Sequence, residues 1–313
     1  MRFQGDRVLR SLAIGASRNA RLRRLAMSTP GFRDLAWRMV AGEDLASAAS
    51  VAAGLNDHGI EATLNALGIH ITEPDLARAA AEQAIATVER IRSDGLRSHL
   101  SLKLTAIGLD IDEAFCHEQL VRVLEAADRA GVFVRIDMEE LPYVEATVRL
   151  YSEMADRFGD AAVGIGIQSY LRHPPYDLAA LARRGSRIRL VKGGYQEPDH
   201  MVLPRAEANA AFRRDIELLL RNAVQPAIAT HDVAAVNWTL RVARDAGLPR
   251  DAFEFQMLYG VKAGLGERLA AAGYRVRCYV PFGGYWLNWL LLTVHGAAHR
   301  AVSGARRLLG QAM

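Results

Sequence analysis

Cationic, carboxylate, amide and phenol side chains recur at the ends of short β-rich runs in this chain. Lys103 and Thr105 close one run, Asp137 and Glu139 the next, and Gln168 and Tyr170 the one after. Arg189, Lys192 and Tyr195 surround the pair Gly193–Gly194. Thr230, His231 and Asp232 are consecutive, Glu254 and Gln256 alternate, and Tyr279 stands just before Pro281. Taken singly, each has a plain structural explanation: a solvated charge, a satisfied core amide, a packed ring. Their convergence argues for more, because every buried polar group costs free energy unless it is paired. A cluster of such groups at successive run ends is a candidate ligand site.

The residue types narrow the chemistry. Lys103, Arg189, Lys192, Gln168 and Gln256 supply cationic and amide donors, which suit a large anionic or carbonyl-rich ligand such as phosphates joined to an isoalloxazine ring. The run-end carboxylates are Asp137, Glu139 and Asp232, and the run-end histidines are His70 and His231, with no HxH or HExxH pair. That is not the ligand spacing of a metal-dependent hydrolase, so no metal is expected. No nucleophile elbow is present either.

Eight runs must position these groups. They are 61–67, Ser98–Ile107, Val132–Met138, Ala162–Gln168, Arg187–Gly193, Ala227–His231, Ala252–Leu258 and Arg275–Pro281. Between them lie stretches of helical period such as Cys116–Ala130, Val144–Arg157 and Glu207–Asn222. Alternation of this kind implies a parallel sheet, and eight units match an α/β fold of the (β/α)8 TIM type. Its active site would lie at the C-terminal strand ends. An open doubly wound sheet is the alternative, weakened by the absence of GxGxxG after the first strand. The expected layout is an N-terminal helical segment over 1–40 and a barrel over 41–313.

Bulk properties set limits. Half of the 313 residues are apolar and the formal net charge is +4, so a packed core is expected and no nucleic-acid partner is called for. Seven arginines from Arg2 to Arg24 face one acid, Asp6; a solvated terminus accounts for them, with peripheral contact to an acidic membrane as the alternative. Cys116 and Cys278 form no CxxC and suggest buried thiols of a cytoplasmic protein. No secretory signal is visible, and the apolar run Trp286–Val294 is too short to span a bilayer.

The motifs SLKLTAIG, RIDMEE, IQSYL, RLVKGGY, ATHD, FEFQMLYGV and YVPFG, in this order, resemble those of the proline dehydrogenases. VAGEDLASAASVAAGLNDHGIEATLNALG resembles the segment leading into that family's first strand, so the likeness runs from about residue 35 to 290. The resemblance implies a distorted barrel that binds FAD, takes a hydride from a cyclic amine at flavin N5, and passes electrons to a membrane quinone, with oxygen as the other acceptor. It implies that Arg189 neighbours N5, that Gln168 faces the pyrimidine edge, and that Val191, Lys192, Gly193, Thr230, His231 and Gln256 belong to the cofactor side. Lys103, Asp137, Tyr195, Leu258 and Tyr279 would form the substrate wall.

Two departures stand out. Where the family carries consecutive arginines after its YxPxG turn, this chain has WLLLTVHGA, with Leu292 and Thr293 at the arginine positions. Where the family's first strand ends LGE, with a glutamate that pairs one of those arginines, this chain has LGIHI, with Ile69. Loss of both partners leaves no unpaired buried charge, and loss of a bidentate arginine grip weakens binding of a free carboxylate. The expectation is a more apolar pocket, lined by Ile69, Leu292 and Trp286 or Trp289. Its substrate would be a small amine without a free carboxylate: a masked or tethered proline, another cyclic or N-alkyl amine, or an N–N compound. Ordinary L-proline oxidation with Arg300 or His295 as a substitute grip, and a non-catalytic flavin- or partner-binding barrel, remain as alternatives. Trp286, Trp289 and Leu290–Leu292 would either pack the last helix or form an apolar surface near a membrane.

Overall fold

A computed structural model describes residues 36–195, 197–287 and 289–290. Helix α1 (Leu45–Asp57) leads into β1 (Glu61–Ala66), followed by α2 (Pro74–Ser93), β2 (Ser98–Leu102), α3 (Glu113–Ala130), β3 (Val134–Ile136) and α4 (Leu141–Phe158). The order continues as β4 (Val163–Gln168), α5 (Leu178–Arg184), β5 (Arg187–Val191), α6 (Arg205–Asn222), β6 (Ala227–Ala229), α7 (Val233–Asp245), β7 (Glu254–Leu258), α8 (Ala263–Ala271) and β8 (Arg275–Phe282). The strands pair in sequence order, all parallel, and β8 closes on β1. The closed barrel displaces the open-sheet alternative. The described part of the expected 1–40 segment is its last turn, 36–39, which is helical.

Helix boundaries follow ordinary capping chemistry. Asp44, Asp112 and Asp232 each accept a backbone N–H at the start of α1, α3 and α7. Pro74 stands at the start of α2, where its missing N–H costs nothing. Gly131 ends α3 at φ +67°, a left-handed cap that glycine adopts without a Cβ penalty.

Several strands are shorter than the runs suggest. β2 stops at Leu102 and Leu104–Ala106 forms a 3-10 turn, because the Thr105 N–H turns to the Glu139 carboxylate (3.0 Å). β3 and β6 are three residues each. The polar groups beyond these strands therefore sit on the loops of the C-terminal face, and the loops are fixed by their own hydrogen bonds.

Strand residues alternate. Leu64, Leu100, Val134, Ile136, Val163, Ile165, Ile188, Leu190, Ile228, Phe255 and Val280 are buried in the main apolar core with residues of the surrounding helices such as Leu120, Val123 and Ile216. The opposite face of the strands, inside the barrel, is polar. Ser101, Arg135, Arg189, Glu254, Gln256 and Arg277 are all buried, and they reach one another across the lumen. Barrels of this type usually fill that space with branched aliphatic side chains. Here Gly164 and Gly166 of β4 make the room. A Cβ on Gly164 would stand 2.4 Å from the Arg187 carbonyl oxygen and 3.0 Å from Arg135 Nη1; one on Gly166 would stand 3.3 Å from Arg189 Nη2.

A second apolar cluster joins Ala36, Val40 and Leu67 to Trp286, Leu287 and Leu290. Trp286 is fully buried there and donates its indole N–H to Glu43 (2.8 Å). Trp286 therefore packs the chain against the segment before α1, which is the packing alternative rather than the pocket-lining or membrane-facing one; Trp289 is partly buried against the same cluster. No helix among the described residues is long and apolar enough to cross a membrane.

The glycine contacts set an order of stability effects. Gly164→Ala forces a methyl group onto backbone and lowers stability by about 2 kcal/mol, within the usual range for overpacking. Gly166→Ala meets only gentler contacts and costs less than half as much. Urea denaturation of the two variants checks the ranking.

Candidate active site

The C-terminal face of the barrel is organised by one carboxylate. Asp137 follows β3, its N–H bonded to the Leu102 carbonyl (2.9 Å). Four side chains from three other strands or strand ends donate to it. Arg189 of β5 and Ser101 of β2 meet Oδ1; Lys103 (3.0 Å) and the Tyr279 hydroxyl of β8 (2.8 Å) meet Oδ2. Lys103 also contacts the Tyr279 hydroxyl at 3.3 Å, and the Arg189 guanidinium lies over the Tyr279 ring, 5.4 Å from its centroid. Parallel strands with alternating side chains bring these groups together: each is on the lumen side of its strand or just past its end.

The charges settle accordingly. Burial alone would raise the Asp137 pKa, but Arg189 and Lys103 outweigh it and hold it well below the ordinary carboxylate range. Burial works against the charge on Lys103 as well, and Tyr279 and Asp137 reverse it, so its pKa stands well above the usual lysine value. Burial pushes the Tyr279 phenol up, and Asp137 adds to that. At neutral pH the floor is thus a carboxylate locked between two cations and a neutral phenol. Tyr195, after Gly193–Gly194, is near enough that Lys103 and Asp137 both act on it, and burial raises its pKa too.

A second buried carboxylate ties the loops. Glu139 accepts from Thr105 N (3.0 Å) and Thr105 Oγ1 (2.6 Å), and its carbonyl accepts from Gln168 Nε2 (2.8 Å). Thr105 Oγ1 in turn takes the His70 N–H (3.2 Å), so the loop carrying Ile69 is fastened to the same point. The His70 ring reaches Asp110 (2.8 Å) and Glu140 (3.4 Å), and Tyr143 donates to Asp110 at 2.5 Å. Burial dominates the titration of Glu139 and lifts its pKa to about 7, against the opposing pull of Lys103 and Thr105.

The rest of the ring is equally engaged. Lys192 meets Asp232 (3.2 Å) and lies over the Phe212 ring. His231 Nε2 accepts the Leu258 N–H (2.8 Å), which places the ring proton on Nδ1, and Lys262 donates to the His231 carbonyl (2.9 Å). Burial and Lys262 lower the His231 pKa. The Thr230 hydroxyl accepts the Asp232 N–H (3.1 Å). Val191 ends β5, and Gly193 at φ +122° lies so close to Tyr170 that a Cβ would enter its ring.

One strand-end assignment needs correction. Glu254 begins β7, at the opposite end of the lumen, where it pairs with Arg277 (3.1 Å) and receives the Gln256 amide. The alternation of Glu254 and Gln256 placed both in the lumen but not at the same depth. Leu292, Thr293, His295 and Arg300 lie outside the described residues. Ser101 lies inside β2 rather than at a strand end; its parity with Lys103, two residues on and just past β2, is the signal that finds it.

One feature fits a bound flavin. The side-chain oxygens of Gln168 and Gln256 are buried and have no hydrogen-bond donor among the described residues, so two acceptors stand ready for ring N–H or ribityl hydroxyl groups. The absence of a Cβ at Gly193 lets the Tyr170 ring pack directly on the loop after β5.

A parallel barrel whose C-terminal mouth gathers cations, amides and phenols around a buried aspartate defines a class of cofactor-binding barrel enzymes. The family model for proline dehydrogenase matches residues 48–286, and the chain belongs to that family. It is 33% identical over 304 residues to proline dehydrogenase 1 of Bacillus subtilis, covering 97% of this chain and 99% of that one. It is 35% identical over 257 residues to a proline dehydrogenase of Deinococcus radiodurans, covering 81% and 83%. A solved structure of proline utilization A from Bdellovibrio bacteriovorus, inactivated by N-propargylglycine, superposes with a TM-score of 0.76 at 25% identity. That match covers 83% of this chain, which spans about a third (32%) of the other. The chain is accordingly an FAD-dependent oxidoreductase acting on a C–N bond.

The raised pKa of Glu139 has a signed consequence. Its unfolded value is about 4.3, so between about pH 4.5 and 7 the folded state keeps a proton that the unfolded state has released. Stability therefore falls as pH rises through that window, by up to about 1.4 kcal/mol per pH unit for one full proton. Glu139→Gln removes this contribution. Denaturant titrations of the flavin-loaded protein at pH 5, 6 and 7 should show a flatter profile for the variant than for the native chain.

Proposed function

We propose that this chain oxidises the C–N bond of a small cyclic or N-alkyl amine that carries no free carboxylate. FAD accepts the hydride when bound, and a quinone or oxygen takes the electrons onward. The observation that carries the reading is the state of the cations at the mouth. Lys103 and Arg189 are bound by Asp137, Lys192 by Asp232, and Lys262 by the His231 carbonyl. A substrate carboxylate would have to compete for one of them, and taking Arg189 or Lys103 from Asp137 would leave a buried charge without its partner. The residue at the family's glutamate position is Ile69, which is partly buried and brings no charge.

In this reading the chain's own groups divide the work. Arg189 and Gln168 face the flavin, with Val191, Gly193, Thr230, His231 and Gln256 on the cofactor side. Arg189 holds positive charge where electron density arrives, an electrostatic stabilisation that needs no reorganisation. Asp137, kept anionic, holds Lys103 and Tyr279 in place, and these order the polar floor beneath the neutral amine. Tyr195, Tyr279 and Leu258 limit the space above.

Free L-proline is the second reading, favoured by 33–35% identity to proteins named proline dehydrogenase over most of the chain. Anaerobic bleaching of the flavin separates the two. L-Proline methyl ester or prolinamide should reduce the flavin at least about tenfold faster than L-proline at equal concentration, about 1.4 kcal/mol of discrimination. Rapid bleaching by sub-millimolar free L-proline overturns the proposal and establishes the second reading.

A further inference from the structure

At the N-terminal end of the barrel, opposite the site above, lies a cavity of about 550 Å³ whose walls include Glu61, His99, Phe133, Phe158, Arg187 and Arg277. This end of such barrels ordinarily serves stability, and Arg277 fits that role, clamped by Glu61 and Glu254 and donating to the Ala62 carbonyl (2.8 Å). Other cations here are not matched in the same way. Arg135, 3% exposed, donates to the carbonyl oxygens of Ile165 and Arg187 and to no carboxylate among the described residues. The guanidiniums of Arg135 and Arg187 lie over the ring of Phe133, 4.8 and 5.3 Å from its centroid, and the His99 ring packs on the same phenyl at 4.6 Å.

The charge does not balance. Arg97, Arg187 and Arg277 line the cavity, with Arg135 and Arg275 beside them, against the carboxylates of Glu61, Asp128 and Glu254. Helix C-termini also point to this end, and their carbonyls favour cations. Those of α3 are already taken: Gly131 N–H caps Ala127 and Asp128, and Arg92 donates to Ala130 (3.0 Å). Arg97 is held by the Asn56 carbonyl at the end of α1, and Arg275 and Arg277 by Glu61 and Glu254, which leaves Arg135 and Arg187 as the guanidiniums here without a carboxylate partner among the described residues. Burial and the arginines Arg277, Arg135, Arg187 and Arg275 drive the His99 pKa well below its ordinary value, and burial with Arg189 draws Arg135 down to about 9. A negative charge in the cavity would relieve both.

We propose that this cavity is a second ligand site, for a small molecule that joins an oxyanion, phosphate or carboxylate, to a flat apolar ring. Guanidinium groups grip such anions in a bidentate fashion, and the half-buried Phe158 gives the ring an aromatic wall. The volume is that of a small-molecule pocket. The layer formed by Arg277 and Glu254 separates it from the Asp137 cluster, so occupancy does not require displacement of anything at the other mouth.

Calorimetric titration of the flavin-loaded protein with phenyl phosphate and with phthalate tests this, against inorganic phosphate and against potassium chloride at matched ionic strength. One saturable site is expected, tighter for a ring-bearing probe than for inorganic phosphate; which probe binds better tells phosphate from carboxylate. Arg187→Gln should weaken binding at least about tenfold while flavin reduction by amine is unchanged. In histidine-labelled protein, the His99 ring resonances should titrate at higher pH when the probe is bound. Heat no greater than that of potassium chloride, or unchanged affinity in Arg187→Gln with the fold intact by circular dichroism, overturns the proposal. Should Arg187→Gln not fold, Arg97→Gln at the cavity's outer wall replaces it, with the same outcomes.

Discussion

Asp137 and Arg189 form the contact on which the interior of this barrel depends. Both are buried, and breaking such a pair from one side costs about 3–5 kcal/mol because it leaves a naked charge. The pair is stable here because nothing else about it is unsatisfied: Ser101, Lys103 and Tyr279 donate to the remaining carboxylate positions. Lys103 is thereby fixed at the end of β2 and Tyr279 near the end of β8, on two strands that do not pair with each other. One carboxylate thus sets the relative placement of four strands. A hydrophobic lumen would pack the barrel as well, but it would not hold a cation at a defined depth.

Such a lumen demands unusual neighbours. Guanidinium groups are long, and their planes need space that branched side chains would fill. β4 yields it through Gly164 and Gly166, one beside Arg135 and Arg187, the other beside Arg189. The polar layers are also arranged by depth. Glu61, Glu254 and Arg277 hold the lower end, Asp137 and Arg189 the upper, and Gln256 bridges them by giving its amide N–H to Glu254 while its oxygen stays open. The polarity of the candidate site and that of the opposite end therefore share the same strands and differ mainly in height.

That depth is where sequence and structure part. The eight-strand alternation, and the membership of Asp137, Arg189, Lys103 and Tyr279 in one site, are legible from spacing and motif. A strand period of two tells which face a residue takes; it says nothing of how far along the axis it lies, so Glu254 looked like a neighbour of the site when it begins its strand. Ser101 escaped because a hydroxyl inside an apolar run carries no signal until its partner is known. The apolar flanks of Trp286 suit packing, a pocket wall or a membrane surface alike, and the structure has it packing. Its actual partners, Ala36, Val40 and Glu43, are some 250 residues away, and no local pattern relates them.

The same arrangement separates the Asp137 cluster from the loop that follows β1. The Asp137 cluster satisfies its own charges from strand residues alone, so it needs no contribution from the rim. The loop that carries Ile69 is fastened through His70 N–H to Thr105, and Thr105 to Glu139, by bonds that do not involve the residue 69 side chain at all. A glutamate or an isoleucine at that position leaves the fastening intact, provided that any charge brought to the rim finds its own partner there. The bonds that hold the floor therefore do not depend on the side chain at position 69, and a change of charge there leaves the contacts among Asp137, Arg189, Lys103 and Tyr279 as they are.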